Sequence, residues 1–127
     1  VPKNIKIYNN KFLKCYDDIQ VFTYGSKGPS EASNNTLKDC DIYNNFFYKS
    51  IGNTMALYGV GNIKVHNNFD FQLNSKTYTV YVHHADDVTI SDNITYFASD
   101  VNAFNYVKDG GNNNNLLINN NLIKGVL

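Results

Sequence analysis

Arginine is absent from this chain, and all eleven of its cations are lysines. No mechanism that needs a bidentate guanidinium clamp can operate within it. An excess of charge of either sign is also missing: eleven lysines meet eleven acids, and the formal net charge is zero. Nothing global therefore draws nucleic acid or an anionic membrane to it. No hydrophobic run approaches the roughly 20 residues of a membrane span, and no signal-peptide pattern opens the chain. Cysteine occurs only at Cys15 and Cys40. Two thiols do not make a disulfide framework or fix a compartment; they read as free thiols stacked in an interior, with a single bridge as the alternative. The chain starts at Val1 and its one methionine is Met55, so it reads as a processed product or excised fragment of a longer protein.

What is present is asparagine, 22 of 127 residues, against a usual few per cent. Such bias often marks disorder. Here the asparagines alternate with Ile, Val, Phe and Tyr, and 43% hydrophobic content is enough for a core. Residues 1–127 therefore read as one ordered domain.

The asparagines also repeat. Ile5-Lys6-Ile7-Tyr8-Asn9-Asn10 is matched by Cys40-Asp41-Ile42-Tyr43-Asn44-Asn45 and by Ile63-Lys64-Val65-His66-Asn67-Asn68. Val88-Thr89-Ile90-Ser91-Asp92-Asn93 and Leu116-Leu117-Ile118-Asn119-Asn120-Asn121 complete the set. Intervals of about 23 to 35 residues lie in the range of stacked repeat architectures. Each copy alternates apolar and polar residues, the period of a strand with one face inward. The strand then runs into a bend, placed at the second Asn because asparagine tolerates left-handed backbone. Stacked about 4.8 Å apart, Asn10, Asn45, Asn68, Asn93 and Asn121 would form a ladder of amides. A second strand follows each bend, as at Phe46–Phe47 and Phe69–Phe71. A third precedes the next copy, at Ile19–Tyr24, Met55–Tyr58, Thr79–Val82 and Ala103–Val107. The expectation is an all-β, right-handed parallel β-helix of about four coils, three short strands to each.

This pattern resembles the β-helix repeats of the pectate-lyase-like superfamily, which includes polysaccharide lyases, glycoside hydrolases and phage tailspikes. The resemblance covers nearly the whole chain. It implies the fold and polysaccharide as the partner, on a secreted protein or a virion surface, but one fold hosts many functions.

Two insertions interrupt the repeat, Gly25–Asp39 and Asp109–Asn115. Both leave the same corner, and solenoid insertions often rim the binding face. On the third strand, alternation turns Val80 and Val82 inward and Thr79, Tyr81 and His83 outward. Stacking then places Ala56 on Tyr81 and Tyr58 on His83. Gln20, Phe22 and Tyr24 face out on the first coil, and Asn105 with Val107 on the last. Tyr24, Tyr58, Tyr81 and Asn105 are thus candidate substrate-binding residues, because flat rings and amides suit sugar rings and hydroxyls. The same residues also fit a solvated face built from β-propensity.

His83-His84-Ala85-Asp86-Asp87 is the only dense titratable cluster. A histidine beside a carboxylate suits acid–base chemistry. Alternation sends His83 and His84 to opposite sides, however, and the two acids also suit a turn. The catalytic candidates are His83, Asp86, Asp87 and Asp109, the last pairing with Asp86 or Asp87 one coil away across a groove. Lys108 is a conceivable base. No metal or cofactor motif is present. The function classes left are a polysaccharide-binding segment, with lyase or glycosidase cleavage as the catalytic option, and a structural or adhesive stalk. Uncapped edge strands add homotrimer formation or packing against other β-helix segments as a possibility.

Overall fold

The computed structural model describes residues 3–22, 37–49, 51–72, 78–97, 106–110 and 113–124. Within them every regular element is a strand. The first coil holds β1 (Ile5–Tyr8), β2 (Lys11–Leu13) and β3 (Ile19–Phe22), and the second β4 (Leu37–Tyr43), β5 (Phe46–Tyr48) and β6 (Met55–Tyr58). The third holds β7 (Val60–His66), β8 (Phe69–Gln72) and β9 (Val80–His83), and the fourth β10 (Asp86–Ser91), β11 (Ile94–Phe97) and β12 (Val107–Gly110). β13 (Asn114–Asn119) and β14 (Leu122–Lys124) begin a fifth. The sheet orders are β1-β4-β7-β10-β13, β2-β5-β8-β11-β14 and β3-β6-β9-β12, every pair parallel. This is a parallel β-helix.

The repeat copies stack in the register that the sequence implies. Ile5, Cys40, Ile63, Val88 and Leu116 form one inward column of the first sheet, and Ile7, Ile42, Val65, Ile90 and Ile118 the other. Ile42, Ile63, Val65 and Ile90 are fully buried, whereas Ile118 is 45% exposed because no described coil covers it. On the third sheet the inner columns are Ile19–Met55–Val80–Val107 and Val21–Leu57–Val82–Asp109. Each buried aliphatic side chain contributes roughly 1.5–3 kcal/mol relative to exposure. A coil is thus held mainly by its neighbours above and below.

The bend after each first-sheet strand differs from expectation by one residue. The left-handed backbone belongs to the first member of each pair: Asn9, Asn44, Asn67, Asp92 and Asn120, with φ between 51° and 57°. That turn swings the second member inward. There Asn10 Nδ2 donates to Asn45 Oδ1 and Asn45 Nδ2 to Asn68 Oδ1, both at 3.1 Å. Asn68 donates to Asn93, and Asn93 to Asn121, both at 3.0 Å. Each acceptor oxygen also takes the backbone N–H of the asparagine one coil earlier, at 2.9–3.1 Å. The second amide hydrogens of Asn45, Asn68, Asn93 and Asn121 bond to carbonyls of Ile7, Ile42, Val65 and Ile90. A buried amide is costly unless bonded, and those of Asn45, Asn68 and Asn93 are saturated.

A second left-handed column opens the first sheet: Asn4, Asp39, Asn62, Asp87 and Asn115, with φ of 50–59°. Its side chains bond along the axis, Asn62 Nδ2 to Asp39 Oδ1 at 2.6 Å and Asn115 Nδ2 to Asp87 Oδ1 at 2.9 Å.

Four expectations need correction. β12 starts at Val107, so Val107 faces inward against the core, in register with Val80. The expected strand Ala103–Val107 alternated acceptably, but stacking on β9 sets the frame. Residues 109, 110, 114 and 115 accordingly lie in β12 and β13 rather than in a loop. Thr79, expected outward, is 3% exposed. The thiols are both free, Cys40 buried and Cys15 only half-buried in a turn, so they do not stack. The expected insertion at Gly25 and beyond falls, as far as residue 36, outside the described residues.

Candidate functional site

Two outward columns cross the third sheet. Gln20, Ala56, Tyr81 and Lys108 form one, and Phe22, Tyr58, His83 and Gly110 the other. Tyr58 thus stacks on His83 and Ala56 lies beside Tyr81, as the repeat offset implied. The rings make a continuous patch. Phe22 meets Tyr58 edge-on at 4.8 Å between centroids, and Tyr58 meets Tyr81 edge-on at 5.0 Å. His83 lies 5.5 Å from Tyr58 and 5.9 Å from Tyr81. Tyr78, just before β9, stacks on Tyr81 at 6.2 Å. The Lys108 Nζ sits 5.1 Å from the centroids of both Tyr78 and Tyr81, a paired cation–π contact.

Gly110 makes room for this arrangement. A Cβ there would lie 2.7 Å from Tyr81 Cε2 and 2.9 Å from its hydroxyl. Tyr81 lies over the bare backbone of the next coil. At the other edge Gln20 Nε2 donates to Asp17 Oδ2 at 2.7 Å, which fixes the amide.

Desolvation lowers the His83 pKa, and the nearby charges of His84 and Lys108 push the same way. At neutral pH the ring is therefore uncharged. Its Nδ1 is buried without a partner. His84 does not point to the opposite side: its left-handed backbone, φ 49°, occupies the corner that Gly59 takes one coil earlier. Alternation fails at that residue, and the two imidazoles meet edge-on at 4.2 Å.

The carboxylates lie elsewhere. Asp86 Oδ1 accepts from Asn114 Nδ2 at 2.8 Å. Asp87 is a member of the outer left-handed column and accepts from Asn115. Asp109 is in register with the inward Val82 and accepts from the Asn113 amide. Among the described residues no hydrogen bond or ion pair joins His83 to any of these three acids. Of the other candidates, Tyr58 and Tyr81 come together with His83; Tyr24 and Asn105 lie outside the described residues.

No family model, curated protein or solved structure matches this chain.

Two further faces carry rings. On the first sheet Tyr8, Tyr43 and His66 stack at 5.1 and 5.3 Å, nearly parallel, and His66 Nε2 is 2.7 Å from Asp41 Oδ1. A polar groove of ≈ 190 Å³ runs beside it, lined in part by Lys6, Asp39, Asn62 and Lys64. On the second sheet Phe46 and Phe69, in register with Ile94, form one outward row and Tyr48, Phe71 and Tyr96 another. Ring centroids lie 5.4 Å (Phe46–Phe69), 5.6 Å (Tyr48–Phe71) and, diagonally, 5.6 Å (Phe69–Tyr96) apart. Sequence reasoning missed this face. In Phe46-Phe47 both sides of the strand are aromatic, so period-two alternation vanishes; only stacking against Asp70 and Thr95 shows which side is inner.

Proposed function

We propose that the chain is a polysaccharide-recognising β-helix segment of a secreted or phage-tail protein, with the outer face of the third sheet as its sugar surface. The observation that carries this reading is the continuous row of Phe22, Tyr58, Tyr81 and His83 beside Lys108 and Gln20. Apolar sugar faces pack against rings while hydroxyls take amide, ammonium and imidazole partners. A neutral His83 suits such contacts, because its Nε2 can meet a hydroxyl without carrying a charge. The resemblance of the repeat to polysaccharide-acting β-helices points the same way. Cleavage, as a lyase or glycosidase, would require His83, Asp86, Asp87 or Asp109 to face the bound chain. The hydrogen bonds that the three acids already accept from asparagine side chains favour binding over cleavage.

The test is binding to a panel of soluble polysaccharides, followed by Tyr58→Ala and Tyr81→Ala on the best binder. Each substitution should weaken binding about tenfold or more, as loss of a buried aromatic contact does, with an unchanged far-UV spectrum. Unaltered affinity in both variants would remove this face from the site.

A second reading, a non-catalytic stalk that packs laterally or trimerises, is favoured by one observation: the aromatic rows of the second sheet. Exposed apolar patches of this kind mark interaction surfaces. Sedimentation analysis decides it: a trimer that reverts to monomer on Phe69→Lys supports the stalk, and a monomer at all concentrations removes it.

A further inference from the structure

The solenoid interior contains an unfinished polar site. Asp70 lies inside the second sheet between Phe47 and Thr95, at 2% exposure. Its Oδ2 accepts from Thr54 Oγ1 at 2.9 Å and, at a longer 3.4 Å, from Gln72 Nε2. No hydrogen bond of good geometry reaches Oδ1 or the hydroxyls of Thr79 and Thr95, although the Thr79 hydroxyl lies close enough to Asp70 to favour its charge. Thr79 and Thr95 are 3% and 1% exposed, so bulk water does not reach them. Each buried polar atom left unpaired costs roughly 1–3 kcal/mol. Three of them in one place demand an occupant.

The three residues line one enclosed cavity of ≈ 10 Å³, close to the least space that holds one water. The amides of Asn68 and Asn93 on its wall are committed to the ladder, and Tyr106 donates its hydroxyl to Asn121 Oδ1 at 2.9 Å. A hard cation would need about six oxygens; much of the wall is Phe47, Met55, Val65 and Val80, which offer no side-chain oxygen. A water needs only two to four polar partners, and three are waiting.

We propose that this cavity is a built hydration site, in which a single water bonds to Asp70 Oδ1 and to the hydroxyls of Thr79 and Thr95. The site joins the second and third sheets from within, since Thr95 belongs to β11 and Thr79 directly precedes β9. It is independent of any ligand on the outer faces.

Thr79→Val and Thr95→Val test it, because valine keeps the shape and removes the hydroxyl. With a water present, each variant loses a bond and Tm falls by about 4 °C. The double variant falls by less than the sum, since both hydroxyls serve one water. In a dry cavity, removing an unpaired buried hydroxyl raises Tm, and that result overturns the proposal. A high-resolution crystal structure gives the second readout. Density within hydrogen-bonding distance of all three oxygens is expected. An empty cavity, or one that fills only in sodium or potassium salts and not in choline chloride, contradicts it.

Discussion

At the residue scale the asparagines carry most of the order. Asn68 sits at the centre of the ladder, where its side chain serves the backbone and amide of Asn45, the carbonyl of Ile42 and the amide oxygen of Asn93. Asn68→Ala should therefore cost about 3 kcal/mol or more in urea unfolding, because several buried partners lose their bonds together. Asn10→Ala, at the exposed end, should cost much less, and equal losses would show that the ladder contributes nothing as a unit. The pairing of asparagines was legible in the sequence, but their division of labour was not. Both members tolerate left-handed backbone, and only geometry shows that the first turns the chain while the second bonds inside.

Asp70 gives the residue scale its pH dependence. Desolvation raises its pKa from 3.8 to about 7, against Thr54, Gln72 and the nearby Thr79 hydroxyl, which favour the charge, with Asp18 adding to the rise. Tyr106 is a further titratable group near it, and burial pushes that phenol further up. A folded pKa above the unfolded one means that stability is fully present below about 3.8 and is lost as pH rises through about 7. The loss is roughly 4 kcal/mol by linkage. Asp70→Asn should flatten stability between these limits, as followed by thermal melts. A wild-type curve already flat there would mean that Asp70 is charged at no cost.

At the element scale, the outer rows follow from parallel in-register strands: a side chain on one coil has its equivalent directly beneath. That rule made Tyr58 over His83 and Ala56 beside Tyr81 legible in the sequence. It failed at Val107, where local alternation allowed two frames, and at the second sheet, where both faces are apolar. Tyr78 was missed because it precedes its strand and reaches Tyr81 from the corner. The fit of Tyr81 over Gly110 is a sharp test of the third face. Gly110→Ala places a methyl against the tip of Tyr81, which must swing off the backbone. Near-unchanged Tm with shifted Tyr81 and Lys108 side-chain resonances is expected; unmoved resonances would show that Tyr81 is not held there.

At the scale of the whole molecule, the coil number and the stacking order were written in the repeat, because a solenoid uses the same local solution on every turn. Function was less legible, since three outer faces all carry rings and a ring serves packing as readily as recognition. Both faces set lysines beside rings, Lys108 on the third and Lys11 and Lys124 on the second, but only the third adds the Gln20 amide and an uncharged His83. An amide and side-chain NMR titration with a polysaccharide that binds decides between them. The account predicts shifts centred on Tyr58, Tyr81, His83 and Lys108, with Phe46, Phe69 and Tyr96 unmoved. Shifts confined to the second sheet, or no glycan that binds at all, would contradict it.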